Sequence, residues 1–278
     1  MPLDRLQLDI SKILKSCRSP KSFVGGSSVF NETFPRMSDD IDIYAEDIPI
    51  AQIAKRDVAA LRAAGFHAKV DDQFYGYVVE AIITRSPESV EGTKLEWTEA
   101  DRRRFYPIQT NKTFGWTLHK TDLAVQKLIA AASRRKARDA LDVLLIDHGY
   151  APLAALAIAA PAKLETASPV AILERILQNG NEHPMDDYLA LRIDGDAMPF
   201  PIREIKMRLA DKINATIDII IASCPNAEPA NIYLARGNDR PQIPTNNVLP
   251  NLFKHGITSK GTVPIFRSIT RSIHEIGD

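Results

Sequence analysis

Asp40 and Asp42 stand one apolar residue apart in the run Asp40-Ile41-Asp42-Ile43-Tyr44. The alternation is that of a strand with one buried face. Residues i and i+2 of a strand share a side, so both carboxylates project together. Two such groups repel unless positive charge lies between them. A divalent cation with oxygen ligands suits them, and magnesium is commonly held by one or two carboxylates plus substrate phosphates. Upstream lies Gly25-Gly26-Ser27-Ser28. Gly25 and Gly26 let the backbone approach a ligand and adopt positive φ. Ser27 and Ser28 are suited to cap a following helix whose N-terminus attracts phosphate. A phosphate cradle beside a cation-holding Asp-x-Asp strand is a layout for nucleotidyl transfer. Taken alone, Asp-x-Asp is also the pattern of a solvated strand end.

The elements that position these residues follow from local pattern. Leu3, Leu6, Ile10, Ile13 and Leu14 recur at helical spacing, which predicts a helix over 3–16. A short strand over Ser22–Val24 feeds the glycine turn, a helix runs from Ser28 to about Glu32, and the Asp-x-Asp strand comes next. Ile50–Ala64 reads as an amphipathic helix closed by Gly65. Strand-like runs follow at His67–Val70, Tyr77–Thr84 and Thr93–Trp97. Glu80 and Glu96 each interrupt such an apolar run, and a lone carboxylate there must be paired or near a cation.

A second anchor is Gly115–Ile146. His119 or Thr121 is placed to cap a helix starting near Asp122. On a continuous helix Lys127, Ala131, Arg134 and Arg138 form one stripe, and Ser133–Lys136 is a point where the helix can break in two. A lysine on that stripe can meet nucleotide phosphates as a point charge, or serve as an ordinary surface lysine. Arg138, Asp139 and Asp142 can equally form a structural ion-pair knot. Arg102-Arg103-Arg104 is either a solvated face or a contact for triphosphate or nucleic acid.

Composition sets outer bounds. With 278 residues there is length for two compact domains. Formal net charge is zero, so attraction to nucleic acid needs a local basic patch. Cys17 and Cys224 are the two cysteines, which fits a reducing compartment. The start has acidic residues and no continuous apolar run, unlike a signal peptide, and no window approaches the ~18 apolar residues of a membrane span. A cytoplasmic protein without a membrane partner is expected. Ala151–Ala162, with Pro152 and Pro161, reads as a buried helix. Further helices are expected at Pro152–Ala159, Val170–Leu177, Ile202–Asp211 and Ile213–Ser223. Beyond Cys224 a loose appendage is expected, ending in a helix over Phe266–Ile276. Lys254, His255, Lys260, Arg267 and Arg271 make it locally basic, so that it could clamp an acceptor or dock a partner.

Two stretches carry a family resemblance. The run from Gly25 to Tyr44 resembles the signature of the DNA polymerase β-like nucleotidyltransferase superfamily, and Pro35-Arg36-x-Ser38-x-Asp40-Ile41-Asp42 looks more specifically like the AbiEii/AbiGii toxin branch. A further motif of that branch is matched by Leu118, His119, Asp122, Leu123, Ala124, Lys127, Leu128, Arg134, Arg138, Asp139 and Asp142. One departure is Ser27-Ser28-Val29, where relatives often carry Thr-Ala-Leu; the hydroxyl is kept at Ser27. The likeness spans roughly residues 20–146.

The resemblance implies an α+β protein. A polymerase β-like catalytic domain with a small mixed sheet and flanking helices would cover 1–117, a mainly helical domain 118–224 and an irregular appendage 225–278. It implies two magnesium ions, or manganese, on Asp40, Asp42 and a third carboxylate, for which Glu96 in Lys94-Leu95-Glu96 is favoured over Glu80. Nucleotide phosphates would meet Gly25, Gly26, Ser27, Ser28, Arg36, Ser38, Lys127 and Arg138, with Lys127 neutralising the leaving pyrophosphate. The implied activity moves a nucleoside monophosphate from an NTP such as ATP to an acceptor hydroxyl. That acceptor is the 3′ end of transfer RNA or another RNA, or alternatively a protein hydroxyl. The implied role is the toxin of a toxin–antitoxin pair. The alternative is a nucleotide-binding module that pairs with an antitoxin without catalysis. A phosphohydrolase would need His-Asp clusters that the sequence lacks.

Overall fold

The alternation in β2 (Asp40–Ala45) is realised as a two-sided strand. Ile41, Ile43 and Ala45 are buried on one side, while Asp40, Asp42 and Tyr44 leave from the other. The computed structural model describes residues 3–71, 77–164 and 167–264. Within these, β2 is central to a mixed sheet built with β1 (Ser22–Gly25), β3 (His67–Asp71), β4 (Val78–Thr84), β5 (Gly92–Glu99), β6 (Gln109–Asn111) and β7 (Gly115–Thr117). The spatial order is β3-β4-β5-β2-β1-β7-β6. The β2–β5 and β1–β7 pairs are parallel and the others antiparallel.

One face of this sheet presents Ile41, Ile43, Ala81, Ile83, Leu95 and Trp97, all buried, to α1 (Arg5–Leu14) and α3 (Ile50–Ala63). Beneath them the Asp57 carboxylate takes the Trp97 indole N–H at 2.8 Å and the buried Arg18 guanidinium. A buried charge of this kind is tolerable only when paired and hydrogen-bonded. The opposite face is covered by α2 (Gly26–Phe30) over β2 and is left open over β3–β5, where Lys69 and Ile82 are exposed.

α2 begins at Gly26, not at Ser28, so Ser27 and Ser28 lie inside the helix and neither caps it. The following Pro35–Met37 segment is strapped by backbone bonds to 192–194. α4 (Lys120–Ser133) and α5 (Ala137–Gly149) are separate helices broken at Arg134–Lys136, with His119 capping α4 through Nδ1 to the Thr121 N–H. They pack with α6 (Leu153–Ala159), α7 (Pro169–Glu182) and α9 (Ile205–Ser223); α8 (Met185–Leu189) joins them through Tyr188. α9 is one continuous helix rather than two, because residues 205–223 contain no breaker. Among the described residues no single helix is long and apolar enough to cross a membrane; α5 and the helix after it are bent by 116° and serve the core.

The expected loose appendage is instead packed. β8 (Asn231–Leu234) pairs with β9 (Phe253–Gly256), and Ile232 and Leu234 are fully buried in the main core. Arg104 and Thr258 exchange two backbone hydrogen bonds, and the Tyr106 hydroxyl donates to the Asp239 carbonyl. The triple arginine is likewise structural at its last member. Arg104 is buried on Glu46 at 2.6 Å and lies over the Phe23 ring, while Arg102 pairs with Asp47. Cys17 and Cys224 are free thiols. The expected helix over 266–276, with Arg267 and Arg271, lies outside the described residues.

Candidate functional site

Sheet register decides which side chains share the open face. Gly25 is opposite Asp42, Asp42 is opposite Glu96, Glu96 is opposite Glu80, and Glu80 is opposite Asp71. One row along, Asp40 is opposite Lys94. Where this face meets α4 and the α4–α5 break, Gly26, Ser27, Asp40, Asp42, Glu96, Lys127 and Arg138 line one cavity.

Lys127 sits on the inward side of α4 and is 6% exposed. Its ammonium donates to Ser27 Oγ and, at 2.7 Å, to Asp142 Oδ2. Asp142, from α5, is also gripped by Arg36, Nε to Oδ1 at 2.6 Å and a second guanidinium nitrogen to Oδ2 at 2.9 Å. The same Arg36 nitrogen donates to Ser27 Oγ at 2.9 Å. Burial alone would raise the Asp142 pKa, but Arg36 and Lys127 hold it well below the usual carboxylate range. A charge-assisted bidentate fork of this kind fixes orientation as well as charge. Ser27 and the Lys127 ammonium therefore face the cavity from a base bonded to Arg36 and Asp142.

Asp42 is placed oppositely. Burial, then the charges of Asp40 and Glu96, push its carboxyl up to about 7, against smaller opposing effects of Lys127 and Arg138. Among the described residues none donates a hydrogen bond to it. The carboxylate packs on Gly26, which has φ +65; a Cβ there would fall 1.6 Å from Asp42 Oδ2. Only glycine leaves this room, and it does so at positive φ, as a close backbone approach requires. Asp40 lies at 3.7 Å from Arg138, whose guanidinium is bonded to Asp39 at 2.7 Å. Its backbone carbonyl accepts from the Ser38 hydroxyl at 2.8 Å.

These donors fit a hard divalent cation. Two carboxylates leave one face of one strand, and one of them is raised in pKa and lacks a protein donor. Such a cation neutralises both charges together with substrate phosphate. Glu96 is differently engaged: Lys94 donates to it at 2.7 Å and to Glu80 at 3.0 Å. Burial lowers the Lys94 pKa, but the hydrogen bonds and charges of both glutamates outweigh it and the net shift is upward.

Not every expected contact reaches the cavity. Arg36 is buried behind Ser27, bonded to Ser27 and Asp142, and does not line the cavity. Ser28 turns its hydroxyl back to the Gly25 carbonyl, and Ser38 is buried beneath Asp40. Gly25 lies under the Tyr44 ring. Glu80 is one strand too far to line the cavity. Arg134 caps the end of α4 and forms a bidentate pair with Asp139 at 2.7 and 2.9 Å, at the cavity mouth beside Lys136.

Sequence reasoning missed Tyr44, Lys94, Gln126 and Lys136 as lining residues. The strand period was a usable signal for Tyr44 and Lys94, since each lies two residues from a carboxylate already singled out. Gln126 carried none, because its neighbourhood depends on how α4 docks on the sheet.

No protein-family model matches the chain, and no curated protein matches it. Solved structures similar in shape include the nucleotidyltransferase toxin MenT4 from Mycobacterium tuberculosis H37Rv. It is 13% identical over 76% of this chain and 82% of its own, with a TM-score of 0.43. A cytoplasmic RNA terminal U-transferase is 12% identical over 87% of this chain and 74% of its own, with a TM-score of 0.30. At these TM-scores the likeness carries no functional weight, and the functional reading rests on the site geometry.

Proposed function

We propose that the chain is a nucleotidyltransferase that moves a nucleoside monophosphate from an NTP to an acceptor hydroxyl. The observation that carries this is the convergence, in one cavity, of the Asp40–Asp42 pair, of which Asp42 accepts no hydrogen bond among the described residues, with the braced Ser27–Lys127 pair. Anionic phosphate has its place between them. Lys127, a point charge backed by Asp142, and the Ser27 hydroxyl hold the phosphates, and Arg134, Lys136 and Arg138 supply positive charge at the mouth. Asp40 and Asp42 would hold magnesium or manganese, which when bound lowers the pKa of a coordinated hydroxyl and neutralises phosphate charge. In the transfer, the acceptor hydroxyl gives up its proton to solvent, its oxygen bonds to the α-phosphorus as the bond to the α,β-bridging oxygen breaks, and pyrophosphate leaves with that electron pair. The Lys127 ammonium stabilises the negative charge that develops there, at no cost in reorganisation. Tyr44, Leu123 and Ala130 give the cavity an apolar wall, and Gln126, with no hydrogen-bond partner among the described residues, offers an amide to a nucleobase.

The RNA acceptor, in particular the transfer RNA 3′ end, the toxin role and a cognate antitoxin are supported by the motif resemblance of residues 20–146. Purified protein incubated with magnesium, each labelled NTP in turn, and total cellular RNA plus protein tests the reading, beside an Asp40→Ala/Asp42→Ala double variant. Label on RNA of transfer-RNA size, lost in the variant, is expected. Label on protein would move the acceptor to a side-chain hydroxyl. Nucleotide binding without any transfer would leave a binding module and end the enzyme reading.

A further inference from the structure

Lys94 holds Glu96, the carboxylate opposite Asp42 that a two-cation site would need as its third. Lys94 and Glu96 are two apart on β5, so their side chains leave one face, next to Asp40 and Asp42. The Lys94 ammonium lies between two carboxylates, 2.7 Å from Glu96 Oε2 and 3.0 Å from Glu80 Oε1, and Lys94 lines the cavity. Glu96 thus has the partner that Asp42 lacks. A second divalent ion on this side would have to take Glu96 together with Asp40 or Asp42, and would sit against a fixed ammonium. Among the described residues, no three carboxylate, histidine or cysteine side chains are arranged to share one ion.

We propose that Lys94 takes the place of the second divalent ion: the site binds one divalent cation, on Asp40 and Asp42, and Lys94 is the fixed positive charge on the other side of the cavity. The inference rests on the nucleotidyl-transfer reading. Glu96 and Glu80 are then the anchors of Lys94 and not cation ligands. Two half-exposed glutamates on adjacent strands would repel each other if the lysine were not there. An ammonium cannot coordinate a hydroxyl as a cation does, but Lys94 can donate its remaining N–H to an anionic or lone-pair oxygen.

The test counts Mn2+ bound per chain in complex with a non-hydrolysable α,β-methylene NTP, by the electron paramagnetic resonance signal of free Mn2+. The wild-type complex is expected to hold one. Lys94→Met frees Glu96 and Glu80, and its complex is expected to hold two. Lys94→Gln also removes the charge, is likewise expected to hold two, and covers the case in which the Lys94→Met protein does not fold; Lys94→Arg and Glu96→Gln are expected to stay at one. Two ions in the wild type, or one in a folded Lys94→Met or Lys94→Gln protein, overturn the proposal and leave the transfer reading standing. No Mn2+ bound in any complex overturns both.

Discussion

At the scale of single residues, the site is organised by unequal treatment of like groups. Asp142 and Asp42 are both carboxylates beside the same cavity. Asp142 accepts three charge-assisted hydrogen bonds and is driven low, whereas Asp42 accepts none and is driven up to about 7. The first is a structural counter-charge, and the second is the group to which the proposed function assigns a cation. Removing one partner of a buried ion pair leaves uncompensated charge, which costs about 3–5 kcal/mol. Asp142→Asn strands both Arg36 and Lys127, so thermal denaturation at neutral pH is expected to show a loss of that order. The pH dependence has a definite sign. A carboxyl whose pKa is depressed on folding contributes stability that is complete above its unfolded value, about 3.9, and is lost as pH falls below that value toward the folded one. The stability gap between wild type and Asp142→Asn is therefore expected to be full at pH 7 and to narrow below about pH 4. A gap that does not change with pH would show that the aspartate acts by shape rather than charge.

At the scale of elements, the β1–α2 junction controls the geometry. β1 ends at Gly25, α2 begins at Gly26 with positive φ, and the open space above Gly26 is taken by the Asp42 carboxylate. Gly26→Ala is expected to cost about 1–2 kcal/mol from left-handed backbone strain. It must also displace Asp42, because the added methyl would overlap Oδ2. A misplacement of about 1 Å can cost about 10²-fold in rate. Label transfer is thus expected to fall far more than the melting temperature does. Comparable falls would mean that the junction matters for folding alone. The break between α4 and α5 has a matching role. A continuous helix would carry Arg134 and Arg138 along one rod, whereas the break at Arg134–Lys136 lets Arg134 bond back to Asp139 at the cavity mouth.

At the scale of the whole molecule, residues distant in sequence share one core. Ile232 and Leu234 from the C-terminal hairpin lie in the same hydrophobic cluster as Phe23, Ile41 and Leu123. Truncating a fully buried isoleucine to alanine costs about 2–5 kcal/mol. Ile232→Ala is expected to lower the midpoint of one cooperative unfolding transition. Two separated transitions in calorimetry, with only the minor one shifted, would show instead that the hairpin melts as its own unit.

What was legible in sequence was whatever local spacing determines. The strand period put Asp40 and Asp42 on one side. The glycine pair marked a close approach. The apolar periodicity placed α1, α3 and the strands β3 to β5 within a few residues of their observed ends. Only tertiary structure decided which charges meet. Arg36 looked like a phosphate ligand beside Asp40, yet it is buried because Asp142, 106 residues away in sequence, neutralises it behind Ser27. Glu80 and Glu96 look alike as carboxylates in apolar runs, and only the family resemblance favours Glu96. The parallel pairing of β5 with β2 brings Glu96 beside Asp42 and leaves Glu80 one strand out, with Lys94 between them. The C-terminal residues read as loose because their apolar runs are short. They are held by long-range contacts with Phe105, Tyr106 and the helical core, which no local window contains. Strand period and turn chemistry act within a few residues, whereas charge pairing and burial depend on distances in space that only the folded chain defines.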